Sequence, residues 1–381
     1  MSLFQVYPLY DVTPERAEDV FVYDDQGTQY LDLYGGHAVI SIGHCHPHFT
    51  EQLKKQLENL PFYSNAVKNP VQELLSRKLT QQSACPEYQL FLCSSGAEAN
   101  ENALKLASFH TGRSQVIAFH NSFHGRTSAA VAATDNKAII APINAQQEVA
   151  FLPLGDLERL EKELVRQKAC AVILEFIQGV GGLDESSAEF YKGVARLCKK
   201  YGSCLIADEV QAGFGRTGDF FAFQKYDIKP DIISMAKGMG NGFPVGGILI
   251  HPDIKASHGL LGTTFGGNHL ACTASLAVLH VLEDQQLLPH ALEMEDYFRA
   301  KAAHVPEIKK IKGRGLMLGL EFEFEVGELR KKLIYDKHIF TGGAKNKKLL
   351  RILPPLTLQQ EHIDFFFKAL RESLNHLPQG S

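Results

Sequence analysis

Long hydrophobic runs are missing from this chain of 381 residues. Its longest, such as 169–174 and 245–250, fall far short of the roughly 20 residues that cross a bilayer, which excludes a spanning helix. A surplus of one charge is missing too. Lys and Arg total 39 against 43 Asp and Glu, a formal net charge of −4, so little is available to hold a phosphodiester backbone and nucleic-acid binding is disfavoured. The seven cysteines show no paired spacing, which predicts reduced thiols and a cytoplasmic address. The opening Met1-Ser2-Leu3-Phe4-Gln5-Val6-Tyr7-Pro8 has no basic stretch before an apolar one, so no secretory leader is expected. Internal repeats and low-complexity tracts are absent, and Gln379-Gly380-Ser381 is set apart from the fold. What remains is an ordinary globular composition, 45% hydrophobic and 22% charged. The length suits two domains, or one large α/β domain with a satellite.

From about residue 88 to 250, short β-branched runs alternate with amphipathic stretches. Strands are predicted over 89–93, 115–119, 170–174 and 203–207, and helices over 97–110, 156–167 and 188–201. This order implies right-handed crossovers and a mostly parallel sheet covered on both faces. Ligands of such sheets sit at the carboxyl ends of the strands. The ends of the chain differ. Residues 20–40 suggest a small meander turning at Asp24-Asp25-Gln26-Gly27, a long helix is predicted near 270–283, and 315–381 mixes strands with helices. Residues 319–325 alternate with period two, which predicts a strand whose glutamates make a solvated face rather than a carboxylate cluster.

Four segments that could carry chemistry follow predicted strands. Ser94-Ser95-Gly96-Ala97-Glu98-Ala99-Asn100 opens a helix with small residues, which suits an anion but equally an ordinary N-cap. Asp208-Glu209-Val210-Gln211 places an acid at the crevice, where it could bind a metal, act as a base or pair with a ring nitrogen. Lys237 ends a buried strand before Gly238; partial desolvation there would make its amine nucleophilic, although snorkelling is the competing reading. Gly262-Thr263-Thr264-Phe265-Gly266-Gly267-Asn268 is a second loop suited to an anion. An electron-sink acid, an imine-forming lysine and two anion loops together suggest pyridoxal phosphate.

The order of six motifs makes the chain resemble the class III pyridoxal-phosphate aminotransferases, most closely the N-acetylornithine and ornithine aminotransferases. They are Gly43-His44-Cys45-His46-Pro47, Ser95-Gly96-Ala97-Glu98-Ala99-Asn100, Phe123-His124-Gly125-Arg126-Thr127, Asp208-Glu209-Val210-Gln211, Lys237-Gly238 and Thr264-Phe265-Gly266-Gly267-Asn268. The resemblance implies a fold type I transferase: a large domain with a mostly parallel seven-stranded sheet over 46–272, and a small α+β domain built from 1–45 and 273–381. It implies that Lys237 holds the cofactor as a Schiff base and moves the proton, while Asp208 keeps the pyridine nitrogen protonated. By the same resemblance Phe123 stacks on the ring and Gln211 lies near its phenolic oxygen. Ser95, Gly96 and Ala97 hold the phosphate, and Thr264 reaches it from the other subunit of a homodimer. Arg126 and Tyr7 would bind a substrate carboxylate, and Arg351 would grip the α-carboxylate of glutamate or 2-oxoglutarate, as a planar fork does well.

The implied activity is transamination of an acylated ornithine with 2-oxoglutarate in arginine biosynthesis, with acetylornithine first and ornithine or N-succinylornithine as alternatives. A mutase, a non-catalytic binding protein and a hydrolase with metal at His44 and His46 are weaker readings; the last is opposed by Pro47, and no metal is expected. Departures from the family pattern are Ala97 for the usual Thr, His269 for Pro, and Val180 for a glutamate in Glu175-Phe176-Ile177-Gln178-Gly179-Val180-Gly181-Gly182. In relatives that glutamate pairs with the arginine matching Arg351. Arg351 is therefore expected to need another anion: Glu175, a bound ion or a carboxylate of the substrate.

Overall fold

The computed structural model describes residues 3–166 and 168–376; Gln167 and the terminal Gln379-Gly380-Ser381 lie outside them. The N-terminal strands are β1 (Pro14–Glu18), β2 (Phe21–Asp24) and β3 (Gln29–Asp32). Seven more build the central sheet: β4 (Gln89–Cys93), β5 (Val116–Phe119), β6 (Val149–Leu152), β7 (Ala171–Leu174), β8 (Cys204–Asp208), β9 (Ile232–Met235) and β10 (Gly246–Ile250). Their order is β4-β10-β9-β8-β7-β5-β6. All neighbours from β9 to β6 run parallel, and only β10 is antiparallel to those beside it. β7, β8 and β9 are buried along their whole length, so they read as continuous apolar runs rather than alternating ones.

The helix Gly96–Thr111 starts because the Ser95 hydroxyl accepts the Glu98 N–H at 3.2 Å, and it ends at Gly112 in the left-handed region. The helix Ala188–Tyr201 is bounded in the same way by Ser187 and Gly202. These caps point the N-terminus of Gly96–Thr111 at the carboxyl end of β4.

Both chain ends meet in a second sheet. β13 (Ile339–Phe340) adds parallel to β3, with Ile339 opposite Leu31. A third sheet holds β11 (Lys310–Arg314), β12 (Met317–Glu321) and β14 (Leu349–Ile352) in the order β11-β12-β14. The period-two segment is shorter as a strand than expected, because β12 stops at Glu321. Its alternation continues only because Phe322 and Phe324 turn inward as a ring pair with centroids 5.1 Å apart. Glu323 and Glu325 remain exposed beside Lys309 and Lys347. The meander gains a strand the sequence did not suggest, β1, whose residues are mostly exposed and lack alternation.

One buried cation ties these parts together. Arg216 is 2% exposed; its Nη1 donates to the carbonyls of Leu316 and Pro354, and its Nη2 to that of Ile40 at 3.0 Å. Burial lowers its guanidinium to about 9, against the opposing field of Asp32. Removing the side chain orphans three buried carbonyls. Arg216→Ala should therefore destabilise the ligand-free protein by about 3 kcal/mol, and Arg216→Lys, which keeps charge but loses the fork, by less. Thermal midpoints of the three proteins check this; an unchanged midpoint in Arg216→Ala would refute the clamp.

Candidate active site

A cavity of about 420 Å³ opens at the carboxyl ends of β4, β8 and β9, where a parallel sheet is expected to bind its ligand. Asp208 and Lys237 face it from neighbouring strand ends, with Glu175, Phe123 and Gln211 beside them. A larger cavity of about 590 Å³ lies around His44, Cys45 and His46. There the His44 ring bonds Asp32 at 2.8 Å and the His46 ring bonds Gln285 at 3.0 Å, so the two imidazoles are engaged separately.

Asp208 is 3% exposed and is supplied with donors from three other segments. Its Oδ2 accepts Asn100 Nδ2 and His124 Nδ1, each at 2.7 Å. Its Oδ1 accepts the Val210 N–H at 3.1 Å. Asn100 is aligned in turn by Ser234, whose hydroxyl donates to Asn100 Oδ1 at 2.5 Å. Such converging donors match a buried carboxylate and fix its direction. His124 Nε2 is buried without a partner among the described residues, while Nδ1 faces Asp208.

Lys237 sits just after β9 with φ of 48°, in the left-handed region that non-glycine residues avoid. Burial lowers its amine from the ordinary lysine value; Asp208 and Glu175 oppose this and Arg351 adds to it. Among the described residues the amine has no hydrogen-bond or ion-pair partner.

The third element is a single peptide. The Gly179 N–H donates to Glu175 Oε2 at 2.8 Å and its carbonyl accepts Arg351 Nη1 at 2.8 Å. A Cβ at Gly179 would lie 1.9 Å from Gln211 Oε1, so any side chain there would displace the Gln211 amide. Gln211 Nε2 donates to the His37 carbonyl at 3.1 Å, while its Oε1 is buried without a partner among the described residues. Glu175 Oε1 accepts the Phe123 N–H at 2.9 Å. Burial raises the Glu175 carboxyl to about 7; His124 opposes and Asp208 reinforces this. Arg351 is 3% exposed, and its Nε donates to the Gly343 carbonyl at 2.5 Å. Of the anions expected beside it, Glu175 makes no ion pair with it; its hydrogen-bond partners among the described residues are two neutral carbonyls, because the loop at 179 and the segment at 343 both turn their carbonyls toward it.

Ser95, Gly96 and Ala97 line the same cavity at the N-terminus of the Gly96–Thr111 helix. A Cβ at Gly96 would lie 2.6 Å from Val210 Cγ1, so the helix end approaches β8 closely. Arg126 lies at the rim, its guanidinium carbon 5.9 Å from the Phe123 ring centroid. Thr264 and Tyr7 are exposed and do not line this cavity. Sequence reasoning assigned no role to His124 or Ser234, although His124 stands inside a quoted motif. It also passed over Tyr34, His37 and Arg330. His37 has φ of 70°, and its ring lies within hydrogen-bond reach of the Tyr34 hydroxyl; no local pattern signals such a residue.

Comparison with known proteins agrees with this geometry. The chain matches the family model "Aminotransferase class-III" over residues 5–374. It is 40% identical over 367 residues to the acetylornithine aminotransferase of Aquifex aeolicus (strain VF5), covering 94% of this chain and 96% of that one. It is similar to the crystal structure of the ornithine aminotransferase from Toxoplasma gondii ME49, with a TM-score of 0.91 and 28% identity, covering 98% and 92% of the two chains. The taurine:2-oxoglutarate aminotransferase from Bifidobacterium kashiwanohense, solved in complex with PLP and glutamate, gives a TM-score of 0.89 at 25% identity, covering 99% and 96%.

Behind Asp208, the fully buried Glu209 accepts the N–H groups of Ala222 and Phe223, each at 2.9 Å. Burial raises its carboxyl from 4.5 to about 8, against the pull of those two bonds. Between these values the folded state holds a proton that the unfolded state has released. Stability should therefore fall as pH rises from about 5 to 8. Glu209→Gln should flatten that slope, measured as thermal midpoint against pH; an equally steep slope in the variant would assign it to other groups.

Proposed function

Because the chain belongs to the class III aminotransferases, we propose that it moves the ω-amine of an acylated ornithine-type donor to 2-oxoglutarate, yielding the semialdehyde and glutamate. The cofactor is pyridoxal 5′-phosphate, which when bound supplies an electron sink that weakens the C–H bond beside the transferring amine. The observation that carries this reading is Lys237 and Asp208 facing one cavity at neighbouring strand ends. The residues present fit the cofactor. The unpartnered Gln211 Oε1 awaits a polar ligand atom, and Gly96 leaves no side chain between the helix N-terminus and an anion.

In this reading Lys237 holds the cofactor covalently and afterwards carries the proton at the donor's reacting carbon, a task suited to an amine whose proton affinity burial has lowered. Asp208, held in place by Asn100 and His124, would pair with the ring nitrogen and keep a proton there. The N–H groups at 96 and 97 and the Ser95 turn bind the phosphate, Phe123 lies on the ring, and Gln211 serves its oxygen. Arg126 and Arg351 take substrate carboxylates, and Glu175 holds the Gly179 peptide against Arg351. The division into a large domain over 46–272 and a small one from 1–45 and 273–381 belongs to the same proposal; it is supported by β13 joining β3.

A homodimer is part of the proposal. Phe265 is 64% exposed and pairs with the half-exposed Phe62 at 5.6 Å between centroids, next to Thr264. Leu3, Phe4, Val6 and Tyr7 add further exposed apolar surface. Patches of this kind mark association surfaces. Thr264 would then serve the partner's cofactor.

Two experiments test these roles. Lys237→Ala should abolish turnover of glutamate and the visible absorbance of lysine-bound pyridoxal phosphate; near wild-type turnover would remove the lysine from the reaction. Mixed subunits test the second role. Combining inactive Lys237→Ala chains with impaired Thr264→Ala chains should regenerate some intact sites, because each partner supplies what the other lacks. No recovery in a verified heterodimer would place Thr264 outside the shared site.

A further inference from the structure

We propose that Val180 makes this enzyme select an amino donor with two carboxylates, so that an N-acyl group ending in an acid is preferred over a neutral one. The proposal rests on the aminotransferase reading above and concerns the same cavity.

The backbone around Val180 is pinned on both sides. The Gly179 carbonyl accepts Arg351, the Val180 carbonyl accepts the Lys345 N–H at 2.9 Å, and the Gly181 carbonyl accepts the Asn346 N–H at 3.4 Å. The Val180 side chain is half-buried and lines the cavity. What that side chain is, rather than where the loop goes, therefore sets the chemistry of the wall next to Arg351.

Two guanidinium groups stand behind that wall, Arg351 on the Gly179 carbonyl and Arg330 beyond it. The bonds of Arg351 to Gly179 and Gly343 satisfy N–H groups and leave its charge untouched. Arg330 grips the same stretch of chain: its Nη2 donates to the Thr341 carbonyl at 3.0 Å, and its Nη1 lies 2.7 Å from where a Cβ at Gly343 would stand. Its Nε is buried without a partner among the described residues. Neither guanidinium has an ion-paired carboxylate among the described residues. Glu175 is engaged by the N–H groups of Phe123 and Gly179, and valine at 180 offers no anion.

A buried guanidinium with only neutral acceptors favours whichever ligand brings a negative charge to it. Donor and acceptor occupy one cavity in turn. 2-Oxoglutarate carries two carboxylates, one for Arg126 at the rim and one for Arg351 behind Val180. Among the described residues no side chain ion-paired with Arg351 replaces the second carboxylate when the donor enters. A donor with a single carboxylate leaves that wall unmatched; one whose acyl group ends in a carboxylate matches both cationic positions, as 2-oxoglutarate does.

The test uses the holoenzyme with N-succinylornithine, N-acetylornithine and the neutral N-succinamoylornithine, which copies the shape of the first without its charge. The expected kcat/KM favours the succinyl donor over both others by roughly tenfold or more. In Val180→Glu the new carboxylate occupies the wall, so this preference should collapse, and single-turnover reaction with glutamate should slow by about ten- to a hundredfold. Val180→Gln, equal in size and uncharged, should keep the wild-type preference. An acetyl or succinamoyl donor equal to succinyl in the wild type would overturn the proposal, as would an unchanged preference in a folded Val180→Glu. If glutamate reacts but no ornithine-type donor does, the donor class itself is wrong and both readings fall.

Discussion

The burial of one carboxylate organises this molecule. Asp208 stands at the end of a central strand, almost out of contact with water, where an unmatched negative charge would cost several kcal/mol. The charge is tolerated because Asn100, His124 and the Val210 N–H converge on it. Those donors come from the Gly96–Thr111 helix, the loop after β5 and the turn after β8. Ser234, which aligns Asn100, comes from β9. Four segments far apart in the chain must therefore reach their places together before the carboxylate is satisfied. The helix N-terminus at Gly96 and the strand end that carries Lys237 are fixed by the same requirement, so the site is organised before any ligand enters.

A second constraint joins the large sheet to the C-terminal part of the chain. The Gly179 peptide is shared between an acid and a base, its N–H on Glu175 and its carbonyl on Arg351. A peptide is a neutral dipole, so it relays hydrogen bonding between the two without cancelling either charge. Burial raises the proton affinity of Glu175 and lowers that of Arg351. Arg216 does similar work deeper in the molecule, again through carbonyls alone. Neutral acceptors thus hold both of these buried guanidinia, and Arg351 reaches the cavity loop through the Gly179 carbonyl, next to Val180.

Much of this was legible in the sequence, and the reason is periodicity. β7, β8 and β9 are covered on both faces, so their apolar runs announce themselves, and Ser95, Gly112, Ser187 and Gly202 mark helix ends by known capping chemistry. Lys237 and Asp208 were found because strand ends in parallel sheets are where ligands bind. The alternation at 319–325 misled about strand length, because it reports which side chains are buried and not which peptides pair. β1 was missed because an edge strand with exposed residues carries no alternation. Tyr34, His37 and Arg330 were invisible for another reason: no local pattern distinguishes them from packing residues, and Gln211, which bonds the His37 carbonyl, lies far along the chain. The partners of Arg351 were unreadable because they are carbonyls, which every residue has.

Local preference is violated at several places in the chain, and some of them border the site. Lys237, His37 and Ala38 all have positive φ without being glycine, a conformation that costs roughly 1 kcal/mol or more per residue. Such strain persists only where the surroundings determine the backbone more strongly than the residue does. At Lys237 they do: β9 is locked between β8 and β10, and Asn241 Oδ1 accepts the N–H groups of Ser41 and Ile42 just beyond it. Glycine would relieve the strain at 237 at the cost of the amine. At Lys237 the strained backbone and the lowered proton affinity occur together: the packed strand end holds the backbone at positive φ, and burial of the side chain makes its amine easier to deprotonate.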